Sequence, residues 1–172
     1  MAGLENLNAT PPRNTHSITR PAGDLRLFRL LQVPASPTAP PSGNGSSQEQ
    51  AISLGTVPAG ALVLDTRGSG VTDTEIGLFD AEGNLIAQND DAFDLQYLSR
   101  INVNLGPGVY YVATGHYNTS FFPTGFGVDA PFNPPGAFVV NVIIGANNAA
   151  RPALTESVVD PVRALWFSLV VE

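Results

Sequence analysis

Eight carboxylates fall within one stretch of 30 residues: Asp65, Asp73, Glu75, Asp80, Glu82, Asp90, Asp91 and Asp94, with only Arg67 among them to oppose the charge. Such oxygen-rich groups suit hard cations, because Ca²⁺ takes roughly six to eight oxygens, many from loop carboxylates and backbone carbonyls. Asp73, Asp90 and Asp91 stand at the ends of expected strands and are the candidate metal ligands. Their spacing is not that of a helix–loop–helix calcium site. The competing explanation is local. Asp-Thr, Asp-Asp and Asp-Ala-Glu-Gly are turn and capping sequences whose side chains bond nearby backbone N–H groups. The expectation is that no cofactor is required and that a hard cation such as Ca²⁺ suits these oxygens.

Nucleophilic chemistry has little to work with. The chain has no Cys and two histidines, His16 in a polar N-terminal stretch and His116 just past an expected strand. A Ser-His-Asp arrangement would need His116 as its base. No G-x-S-x-G elbow, H-E-x-x-H pair or phosphate loop occurs. The expectation is a chain that is not an enzyme.

Residues 116–136, HYNTSFFPTGFGVDAPFNPPG, hold five of the 14 aromatic residues: Tyr117, Phe121, Phe122, Phe126 and Phe132. Aromatics on a long loop either anchor an interface, where they bury large area at low entropy cost, or cap the fold as a satellite core. The Phe121/Phe122 pair is the leading interface anchor.

The elements that must position these groups read as strands. Of 172 residues, 43% are hydrophobic and 13% charged, and the 17 Gly and 15 Pro argue against a helical bundle. The net charge is −7 and all eight basic residues are Arg, which leaves no basic surface for nucleic acid. No apolar run reaches the roughly 18 residues of a membrane helix, and no signal peptide is visible. Residues 1–23 read as an extended arm, Asp24–Val33 as a strand, and 34–49 as a long Pro- then Gly/Ser-rich loop. Short strands then follow at Gln50–Leu54, Ala61–Thr66, Thr74–Asp80, Asn84–Asn89, Arg100–Leu105, Val109–Gly115, Ala137–Ile144 and Ala164–Val171. Turn residues separate them, with a hairpin at Asp80-Ala81-Glu82-Gly83. The last strand, apolar on both faces, either joins the same sheet or adds to the edge of a neighbouring chain. The fold class expected is all-β: an antiparallel jelly-roll-like β-sandwich of about eight or nine strands over 24–172, with long loops at 34–49 and 116–136.

Several short motifs occur in order: Asp24–Arg29, Asp73-Thr74 opening a strand, Leu78-Phe79-Asp80 closing it, and Gly83-Asn84 in the hairpin. Asn89-Asp90-Asp91, Ser99-Arg100-Ile101 and Gly108-Val109-Tyr110-Tyr111-Val112 follow. Together, over roughly residues 24–144, they resemble the bacterial pre-peptidase C-terminal (PPC) domain. That resemblance implies a compact jelly-roll-like sandwich, not itself catalytic, found with secreted enzymes and surface proteins. It also implies that calcium or an extracellular polymer is a ligand in some members.

The expectation from these readings is a non-catalytic structural or assembly protein. It would be a virion decoration (cement) or surface-layer component, docking on itself or on a capsid or surface scaffold through its arm and loops. The alternative is a secreted PPC-like adhesive module that binds calcium or a polymer. Neither involves nucleic acid or membrane insertion. The place of action is a virion or extracellular surface.

Overall fold

Apolar–polar alternation becomes strand throughout the part of the chain that the computed structural model describes: residues 45–172 apart from 72, 93–94, 132–135, 148–149 and 161–163. The expected arm at 1–23, the strand Asp24–Val33, most of the loop at 34–49 and the side chains of Asp94 and Phe132 lie outside the described residues. After a 3-10 turn at Gln48–Gln50 come β1 (Ile52–Val57), β2 (Gly60–Asp65), β3 (Thr74–Phe79), β4 (Leu85–Asn89), β5 (Arg100–Leu105) and β6 (Gly108–His116). β7 (Ser120–Phe121), β8 (Val128–Asp129), β9 (Gly136–Ile144), β10 (Leu154–Asp160) and β11 (Leu165–Val171) complete the order. The described part is all-β.

One sheet has the order β1-β11-β6-β3-β4, the other β10-β9-β2-β5, and β7 and β8 form a separate short hairpin. Every pairing is antiparallel except β1 with β11. The two larger sheets share one apolar core. Leu54, Ile76, Leu78, Val112, Phe167 and Leu169 from the first meet Leu62, Leu64, Ile101, Phe138, Val140 and Val142 from the second. β11 answers the question its composition raised. It lies between β1 and β6 in its own chain, and all seven of its residues are buried. Leu165, Phe167, Leu169 and Val171 enter the shared core, while Trp166 faces the opposite side. There it joins Ala51, Phe79, Tyr111 and Ala113, covered by Phe121, Phe126 and Val128 of the β7–β8 hairpin.

Three strands lie beyond those expected from sequence. β7 and β8 have two residues each, too short for a periodic signal. β10 turns Leu154 and Val158 toward the core, with the half-buried Glu156 between them breaking the apolar alternation. An acid at that position suits an edge strand, since inward charge discourages pairing with another chain.

The second sheet is pinned by a polar row on its outer face. Thr155, Asn141, Asp65 and Arg100 are register partners across β10, β9, β2 and β5. Asp65 is fully buried. Its carboxylate accepts from Arg67 Nε at 2.7 Å and Asn141 Nδ2 at 2.9 Å, with Arg100 Nε at 3.9 Å. Thr155 Oγ1 donates to Asn141 Oδ1 at 2.8 Å. Removing one member of a buried ionic set strands its partners, a loss of about 3–5 kcal/mol. Asp65→Ala is therefore expected to lower the unfolding free energy by about 3–5 kcal/mol in urea titrations; a change within about 0.5 kcal/mol, the usual range for surface sites, would show that the row does not hold the sheet.

Candidate functional site

β3 runs outward from a buried knot of hydroxyls. Thr66, just after β2, Thr74, opening β3, and Ser99, just before β5, are all fully buried. Thr66 Oγ1 lies 2.6 Å from Thr74 Oγ1, and Thr74 Oγ1 lies 3.2 Å from Ser99 Oγ. The Ser99 N–H donates to Thr66 Oγ1 at 2.9 Å, and Ser99 Oγ donates to the Thr74 carbonyl. The Thr74 N–H in turn donates to the Tyr97 carbonyl at 2.9 Å, and Thr74 is the register partner of His116 in β6. The knot ties both sheets together at one end of the sandwich and fixes what stands beside it.

Beside it stand three carboxylates. One oxygen each from Asp73, Asp90 and Asp91 lies within 4.8 Å of the others. Asp73 precedes β3; Asp90 and Asp91 follow β4, whose last residue Asn89 pairs with Ile76. Asp73 Oδ1 is buried without a hydrogen-bond partner. Burial, then the neighbouring Asp91 and Asp90, push the Asp73 carboxyl above its usual range. Burial and Asp91 raise Asp90 in the same direction.

Glu75, two residues along on the outer side of β3, is pushed up to about 7. Burial is the largest cause. Asp90 and Asp73 add to it, while backbone N–H groups of Asn118 and Thr119 pull the other way. Asn118 adopts a left-handed backbone, φ 66°, which Asn tolerates better than most residues, in the turn that the Thr119 N–H closes on the His116 carbonyl at 3.1 Å. Glu75 also lines a cleft of about 440 Å³ with Gln88, Asn89, Asp90, Thr119, Ser120 and Phe121. One wall is the end of β4; the other is the start of the β7–β8 hairpin. Gly77 lets the hairpin lie this close, since a Cβ there would stand 2.6 Å from the Phe121 ring.

The rest of the acidic stretch divides by environment. Asp65 belongs to the buried row. Asp80, at the other end of β3, is a turn residue: it accepts from the Glu82 N–H at 3.0 Å and the Asn84 N–H at 2.8 Å. Burial, the largest single cause, pushes its carboxyl up, but hydrogen bonds from Asn84, Glu82 and Gly83 together outweigh it and hold the group below its usual range. The turn explanation thus fits Asp80, while Asp73, Asp90 and Asp91 gather as a group.

The aromatic stretch divides too. Phe126 lies 5.3 Å from Tyr111 and 6.0 Å from Trp166 between ring centres, and Phe121 lies 6.3 Å from Phe79. Both form the satellite core. Tyr117 is 58% exposed and Phe122 49%. Sequence reasoning did not single out Tyr97, which is 59% exposed at the acidic end; nothing in its local pattern marks it. Glu75 was legible as one of the eight clustered carboxylates but not as a cleft residue, and Gln88 was not singled out. His116 sets its ring edge-on to Phe138 at 4.9 Å, half-buried.

A carboxyl raised on folding favours the native state below its unfolded pKa, and that contribution is lost as pH rises through the folded value. For Glu75 the window runs from 4.5 to about 7. In chelator, Glu75→Gln is expected to melt above the wild type near pH 8 and level with it near pH 4. Equal melting at both pH values would show that Glu75 is not held at a cost.

The chain matches no protein-family model, no curated protein and no solved structure.

Proposed function

We propose that the chain is a non-catalytic structural or assembly protein, a virion decoration or surface-layer component, that binds neighbouring protein through one end of a rigid sandwich. The observation that carries this reading is the pair of exposed tyrosines, Tyr97 and Tyr117, on backbones that both adjoin Thr74 beside the acidic group. Exposed aromatics beside a buried hydrogen-bonded knot are the kind of group that protein interfaces use as anchors.

The rigid body in this reading is a jelly-roll-like sandwich. Its support is that two sheets pack on one core and that the chain passes repeatedly from one to the other. β3–β4 and β6–β11 pair in one sheet, β2–β5 and β9–β10 in the other, with β3–β6 and β2–β9 closing each sheet; the β2–β11, β3–β10, β4–β9 and β5–β6 pairs of a simple rolled hairpin are not among the pairings of the described residues. Along the chain only β3–β4 and β9–β10 are successive strands of one sheet; the rest of that eight-strand set crosses over. β1 is then an added parallel strand at the edge.

A second reading, the secreted PPC-like adhesive module, is favoured by Asp73. Its buried, unpartnered oxygen beside Asp90 and Asp91 suits a calcium ion, with further oxygens from backbone or water. Calcium would there neutralise crowded carboxylates and stiffen the loops that carry the tyrosines. The resemblance to PPC domains is supported by Asp73-Thr74 at the start of β3, Leu78-Phe79 at its end and Gly83 in the turn with φ 85°.

The test is the solution mass by light scattering, with Ca²⁺ and with chelator, for the full chain and for a chain lacking residues 1–23. The expected result is a discrete oligomer indifferent to chelator and weakened by the deletion. A monomer in every condition overturns self-assembly, and a mass that changes on chelation transfers the conclusion to the calcium-dependent module. The non-catalytic part has its own check. Two carboxylates across a cleft are the minimal set for glycoside hydrolysis, so 4-nitrophenyl glycosides are expected to remain intact; steady release of nitrophenol that Glu75→Gln abolishes would make the chain an enzyme.

A further inference from the structure

We infer that the cleft between β4 and the β7–β8 hairpin is a binding site for a neutral saccharide, taking one or two sugar rings of a polymer. This rests on the reading of the chain as a binding module and names a ligand class for a different part of it from the tyrosine rim.

The cleft's size and lining carry the inference. Its volume of about 440 Å³ lies within the range of small-ligand sites, roughly 300–1,000 Å³. Its walls offer two carboxylates (Glu75, Asp90), two amides (Gln88, Asn89), two hydroxyls (Thr119, Ser120) and one aromatic ring (Phe121). Carboxylates accept only, amides accept and donate, and hydroxyls do either. An apolar ligand would bury these groups unpaired, at a cost for each. An anion would meet two carboxylates. A bare metal ion fills a small part of the space. A polyhydroxyl ligand fits all of it, because every sugar hydroxyl both donates and accepts, and its C–H face suits the Phe121 ring.

The floor of the cleft is fixed before any ligand arrives. Glu75 is 9% exposed, its carboxyl largely enclosed by the strands and hairpin around it. A carboxyl group has several acceptor positions whether or not it carries a proton, which leaves capacity for ligand hydroxyls. Phe121 is set against Gly77 and Phe79 and does not have to be ordered on binding. Neither residue loses much freedom on binding, which is how a small polar site gains affinity.

The test is affinity electrophoresis of the full chain through gels containing laminarin, galactomannan, hydroxyethylcellulose or xylan. A double variant, Gln88→Ala with Ser120→Ala, runs beside it. Retardation by at least one glycan is expected, with the dissociation constant raised about tenfold or more in the variant, the loss of one or two good hydrogen bonds. The variant's melting temperature and light-scattering mass are expected to match the wild type. Retardation by none of the four glycans, retardation that the double variant keeps, or calorimetric binding of spermidine in the cleft that the double variant abolishes each overturns the saccharide assignment. Failure of the assembly reading looks different: the mass is monomeric while glycan retardation persists.

Discussion

The burial of Asp65 is the constraint on which the rest depends. A carboxylate taken wholly out of water is tolerable only when its partners are in place, and those partners come from β9, from β5 and from the turn after β2. A one-residue slip of β2 would carry the charge to the side where Leu62 and Leu64 face the core. One register therefore survives in the second sheet. The next residue, Thr66, opens the hydroxyl knot, and through Thr74 and Ser99 the same register is passed to β3 and β5. The acidic group, the two tyrosines and the floor of the cleft all hang from that knot.

The site is also where the fold accepts cost. Four carboxylates, Asp73, Glu75, Asp90 and Asp91, are held near one another, and burial and mutual repulsion raise three of them above their usual range. A fold selected for stability alone would disperse such charges or interleave them with arginine. Asp65 and Asp80, by contrast, have every sign of structural use, one in a buried hydrogen-bonded row and one closing a turn. Residues of one type in one stretch of sequence thus divide into those that stabilise and those that cost, and the costly ones share one end of the molecule.

Much of the architecture was legible in the sequence, for physical reasons. Strands with one face in the shared core alternate cleanly: Ile101, Val103 and Leu105 in β5 are an example, and β5 spans the residues expected. β11 was legible as buried on both faces, though composition does not say which layer covers its outer side. The convergence of Asp73, Asp90 and Asp91 was legible because a hairpin returns β4 alongside β3. What pattern does not carry is the β7–β8 hairpin. Its ordering comes from the contact of Phe121 with Gly77 and of Phe126 with Tyr111, between residues far apart in sequence. Glu156 hid β10 by breaking an alternation, and the cleft, formed where the hairpin meets β4, was hidden with the hairpin.

The one tryptophan of the chain lies on the reverse side of its sheet from the main core, roofed by Phe126 of the β7–β8 hairpin. Its emission therefore reports first on whether that roof is closed, and only afterwards on the integrity of the sandwich. A ligand that settles against Phe121 and a mutation that loosens Gly77 would both shift the spectrum with the strands intact. The molecule carries a built-in optical gauge of its cleft, placed where global unfolding is not the first thing it senses.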